Sequence, residues 1–74
     1  MKNLKLKAAR VGMDMSQSQL AEAVGVSGRT IKAIENGEYN PTIKLCISIC
    51  EILGKSVEDV FAGREDEEDE ESEA

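Results

Sequence analysis

Residues 16–37 read Ser-Gln-Ser-Gln-Leu-Ala-Glu-Ala-Val-Gly-Val-Ser-Gly-Arg-Thr-Ile-Lys-Ala-Ile-Glu-Asn-Gly and carry the strongest structural signal in the chain. Ser16 and Gln19 have the spacing of a capping box, in which each side chain satisfies a backbone N–H that the first turn of a helix leaves open. The helix they start runs to about Val24 and stops at Gly25, since glycine enters the left-handed region without steric cost. Ser27 has the character of an N-cap for a second helix, which ends near Asn36 with Gly37 as its stop. Ala21 is small where the two helices would cross closely. Leu20, Val24, Val26, Ile31 and Ile34 are the apolar residues that hold the pair near a right angle.

Outward from this pair, caps and periodicity predict three more helices. The first covers about 4–11, with Leu6, Ala9 and Met13 inward and Gly12 as its end. Asn40-Pro41 opens the fourth, because proline is tolerated at the first helical position. Ile43, Cys46, Ile47, Ile49, Cys50 and Leu53 form its apolar face, and Gly54 closes it. Ser56 caps a short fifth helix, whose positive end Glu58 and Asp59 favour and whose Val57, Val60 and Phe61 pack inward. No segment alternates with a period of two, so the class is all-α, with five short helices.

The 74 residues leave room for one small domain. Their net charge of −6 hides a strong polarity along the chain. Residues 64–74 hold one basic and eight acidic side chains, whereas residues 1–34 hold six basic and two acidic ones. The division expected is a domain over 1–63 and a disordered acidic tail over 64–74. Three roles suit the tail: solubilising the chain, competing with a polyanionic partner for the basic first half, or recruiting a basic partner. With no histidine, no nucleophile–base pair and no phosphate-binding glycine loop, the sequence is not that of an enzyme. No cofactor or metal is expected, and no apolar run is long enough for a membrane or a secretion signal, which places the chain in the cytoplasm.

Two helices joined by a tight turn form a helix-turn-helix arrangement, whose second helix can enter a DNA major groove. The sequence resembles the Cro/CI-type helix-turn-helix domains of the XRE family. The likeness rests on Ser16-Gln17-x-x-Leu20-Ala21, Val24-Gly25-Val26-Ser27, Thr30-Ile31-x-x-Ile34-Glu35-Asn36-Gly37, Tyr39-Asn40-Pro41 and the segment from Leu53 to Phe61. It covers about 1–62, with the helix-turn-helix unit at about 17–36. It implies a lambda-repressor-like fold and a homodimer that binds a palindromic double-stranded DNA operator, usually as a repressor of transcription. It also implies a phosphate contact from Gln17, a DNA-facing surface made by Ser27, Gly28, Arg29, Thr30, Lys32 and Ala33, and an Arg10–Glu35 ion pair.

The chemistry of these side chains agrees with that use. Arg29 suits a two-hydrogen-bond contact to guanine, and Lys32 a base or a phosphate. Ser27 and Thr30 suit phosphate oxygens or a thymine methyl, and Asn36 and Asn40 flank the following turn where the DNA backbone would pass. Position 28 departs from the family, which commonly has a long polar or basic residue there; Gly28 removes a base contact and weakens the helix start. Ile52, Val57, Val60 and Phe61 are the candidates for a dimer interface. Cys46 and Cys50 are read as small buried hydrophobes, with an intermolecular metal or redox site and interface thiols as the alternatives. The competing function is that of an antitoxin or adaptor acting mainly through a protein partner, with DNA binding secondary.

Overall fold

A computed structural model describes residues 2–61. The helices are α1 (Leu4–Gly12), α2 (Gln17–Val24), α3 (Gly28–Glu35) and α4 (Ile43–Leu53), followed by α5 over 57–61. There is no strand among the described residues, as the lack of any two-residue alternation implies. The acidic segment 64–74 and the domain boundary before it lie outside the described residues.

Each helix starts on a side chain that accepts a first-turn N–H. Ser16 Oγ accepts from the Gln19 N–H at 3.0 Å, and Gln19 Oε1 accepts from the Ser16 N–H at 2.8 Å, completing the capping box. Ser27 caps α3 through the Thr30 N–H. Ser56 and Asp59 form a second reciprocal pair at the start of α5, at 3.0 and 3.2 Å. Three helix ends turn on glycines with positive φ: Gly25 at 82°, Gly37 at 78° and Gly54 at 69°. At the first of these the Val26 N–H donates to the Ala21 carbonyl at 2.9 Å, which satisfies a carbonyl the helix end leaves open.

Two helix boundaries differ from the sequence reading. Gly12 is the last residue of α1, but the left-handed position that ends the helix falls two residues later at Asp14, which has φ of 60°. Aspartate is among the few residues that visit the left-handed region readily, so a glycine was not required there. Met13, expected inward, is half exposed as a result. Pro41 does not occupy the first turn of α4: Thr42 is the N-cap, its Oγ1 accepting from the Leu45 N–H at 3.1 Å, and Asn40 and Pro41 precede it. A threonine cap satisfies a donor, whereas proline only avoids having one, so the helix starts on the threonine.

The core joins α1 through Leu6, α2 through Leu20 and Ala21, α3 through Ile31 and Ile34, α4 through Cys46, Ile49, Cys50 and Leu53, and α5 through Val60 and Phe61. Helix α2 is central, packed on α3 and on α4, while α1 closes over α3. Each fully buried Leu or Ile contributes about 1.5–3 kcal/mol relative to exposure. The apolar face of α4 is narrower than the sequence suggests. Ile43 and Ile47 stand 64% and 45% exposed, because the four buried positions already cover the side that meets α2.

Candidate nucleic-acid interface

Ile31 and Ile34 are fully buried, and with Glu35 they fix which side of α3 faces the protein. At about 100° per residue, Arg29, Lys32, Ala33 and Asn36 fall on the opposite side as one stripe. Arg29 and Lys32 are exposed, whereas Ala33 and Asn36 are half-buried. Gly28 and Thr30, both half-buried, flank the stripe on its two edges. Ser27 is exposed at the helix start, where its hydroxyl lies 3.1 Å from Thr30 Oγ1. Ala33 has no polar group, so at its position the surface is shallow and lets a partner approach the helix closely. Asn40 is exposed in the loop before α4.

The surface is held in place by a polar cluster beneath it. Glu35 Oε2 accepts from Arg10 Nε at 2.6 Å, and Glu35 Oε1 accepts from Arg10 Nη2 at 3.3 Å and from Gln17 Nε2 at 3.0 Å. Arg10 Nη1 donates to the Met15 carbonyl at 2.8 Å. The Glu35 carbonyl in turn accepts from the Asn3 N–H at 2.8 Å, while Asn3 Oδ1 caps α1 through the Leu6 N–H at 3.0 Å. The Glu35 carboxylate therefore ties α1 and the first residue of α2 to the end of α3, and through Arg10 the α1–α2 connection is held as well. The ion pair is nearly shielded from water, so its charges depend on each other rather than on solvent.

The sequence reading placed the Arg10–Glu35 pair but not the attachment of Gln17 to it. Gln17 is half-buried, and its amide N–H₂ is directed at Glu35. No local spacing links positions 17 and 35, so only the packing of α2 on α3 brings them together. Asn3 was also missed, although an asparagine directly before an apolar-periodic segment is an N-cap signal that could have found it.

Of the four dimer-interface candidates, Val60 and Phe61 are 2% and 3% exposed and belong to the core of this single chain. Val57 packs against that core from a half-buried position, and Ile52 is 37% exposed. Cys46 and Cys50 are both buried core residues, and desolvation pushes the Cys50 thiol up to about 11, with Cys46 and Asp59 nearby adding to the shift.

This architecture, two short helices joined by Gly25-Val26-Ser27 with the outer face of the second left open, defines a helix-turn-helix class of DNA-binding domain. The helix-turn-helix family model matches residues 6–60. An uncharacterized HTH-type transcriptional regulator of Methanocaldococcus jannaschii is 45% identical over 90% of this chain and 100% of its own length. The corresponding regulator YgzD of Bacillus subtilis is 44% identical over 82% of this chain and 91% of its own. One from Archaeoglobus fulgidus is 38% identical over 85% and 89%. The chain belongs to the XRE-type helix-turn-helix family of DNA-binding transcriptional regulators.

Proposed function

We propose that the protein is a homodimeric, sequence-specific repressor that works in the cytoplasm, inserts α3 into the major groove and reads a palindromic operator. The observation that carries this reading is the open stripe of Arg29, Lys32, Ala33 and Asn36 on a helix whose opposite side is locked into the core. Arg29, in the first turn, has the reach and the two parallel donors for guanine O6 and N7, a contact worth about 1–3 kcal/mol of discrimination. Lys32, one turn further, supplies a second cation, and Ser27 at the start of α3 and Asn40 in the loop before α4 are exposed groups suited to phosphate oxygens. In a symmetric dimer the two recognition helices would lie about 34 Å apart, one turn of DNA.

The attachment of Gln17 to Glu35 supports a phosphate contact by Gln17 in a particular form. With one N–H of its amide donated to Glu35, the side chain is held in one orientation before DNA arrives, and less freedom is lost on binding.

Selection of duplexes from a random library by the full-length protein tests the reading. The expected result is a palindrome with half-sites about ten base pairs apart. Arg29→Ala should then lose preference at one position per half-site, while Gln17→Ala should weaken binding to all sequences alike. Absence of any enriched sequence would overturn the reading and favour an adaptor that acts through a protein partner.

A further inference from the structure

Gly28 opens α3 and faces α2. A Cβ built on it would stand 3.2 Å from Ser18 Oγ and 3.6 Å from Ser18 Cα. The first separation is closer than carbon and oxygen ordinarily pack, so a side chain at residue 28 would push the Ser18 hydroxyl aside, whereas the second is ordinary contact. Ser18 itself is exposed, on the second residue of α2, and its hydroxyl has no hydrogen-bond partner among the described residues. Around α3, position 28 lies about 40° from Lys32 at about 100° per residue. The Ser18 hydroxyl therefore borders the Arg29–Lys32 stripe, in the space that a side chain at position 28 would enter.

We propose, resting on the reading of α3 as the groove helix, that Ser18 is a further DNA-contacting residue whose hydroxyl donates to a backbone phosphate oxygen, and that Gly28 is the positioning residue that leaves room for it. Phosphate is the partner because Ser18 is short and belongs to α2, the helix that crosses the DNA backbone while its neighbour reads the groove. Serine hydroxyls are common donors to phosphate oxygens, and such contacts set position rather than sequence. The absence of a long side chain at position 28 then exchanges one base contact for one backbone contact.

The test titrates full-length wild type, Ser18→Ala, Gly28→Ala, the double variant and Arg29→Ala against two duplexes over a salt series. One duplex is the best sequence recovered by selection; the other is a mixed sequence of the same length. Thermal melts by circular dichroism accompany the titrations. Ser18→Ala should melt like wild type and lose about three- to tenfold in affinity for both duplexes, the effect of one hydrogen bond. Its slope of log affinity against log salt should not change, because no cation is removed. Gly28→Ala should show the same loss by displacing the hydroxyl, and the double variant should lose no more than either single one.

Wild-type affinity in Ser18→Ala overturns the proposal. So does a loss confined to the selected duplex, or losses that add in the double variant. Failure of the underlying reading looks different, because Arg29→Ala would then also leave affinity and preference unchanged.

Discussion

Glu35 anchors the end of α3, whose outer side is the proposed DNA-reading surface, although its carboxylate points away from that side. Its carboxylate holds Arg10 and Gln17, and its carbonyl holds the Asn3 backbone. Removing one partner of a buried pair leaves the other charge without compensation, so Arg10→Ala or Glu35→Ala should each cost about 3–5 kcal/mol in urea unfolding. That is a large part of the stability of so small a domain, and both variants should be partly unfolded at 25 °C. Cys50 shows the opposite kind of residue, buried and inert. With its thiol pushed up to about 11, it holds almost no thiolate at neutral pH. Iodoacetamide at pH 7.5 should leave Cys50 unmodified in the native protein and alkylate it in urea; rapid native alkylation would contradict the burial.

Among the elements, α5 offers a test of capping chemistry by pH. Hydrogen bonds from the Ser56 backbone N–H and from the Ser56 side chain hold the Asp59 carboxyl below its ordinary 3.8, and Lys55 and Lys5 add to the effect. A folded-state pKa lowered in this way means that the stabilisation is fully present above about pH 4 and is lost as pH falls through the lower folded value. The urea midpoint of wild type should therefore drop between about pH 4 and pH 2 more than that of Asp59→Asn, which has no charge to lose there. An identical acid dependence in both proteins would show that this cap contributes nothing through its charge. The helix-turn-helix pair itself was legible from Ser16, Gln19, Gly25 and Ser27, because caps and left-handed stops act within a few residues. The start of α4 was not, because Pro41 and Thr42 are both reasonable first-turn residues and local chemistry alone does not rank them.

For the whole molecule, burial within one chain limits which residues remain for a second copy. Val60 and Phe61 are in the core, so changing them would unfold the domain before it reported on assembly. Ile52 is exposed and apolar, which makes it the informative position. If the dimer forms through the end of α4, Ile52→Asp should sediment as a monomer at concentrations where wild type is dimeric. It should melt close to wild type and bind a palindromic site only as strongly as an isolated half-site. Unchanged sedimentation would place the dimer interface elsewhere.

The all-helical class, the helix-turn-helix unit and the exposure of Arg29 and Lys32 followed from the sequence by itself. Capping boxes, glycine stops and the 3.6-residue period are short-range effects written into adjacent residues. Tertiary structure alone decided that Gln17 is bound to Glu35, that Gly28 closes on Ser18, and that Ile43 and Ile47 remain outside while Val60 and Phe61 are enclosed. Each of those depends on how two helices far apart in the chain meet. The sequence marks which faces are apolar, but the angle and closeness of packing select which residues of a broad apolar face are covered.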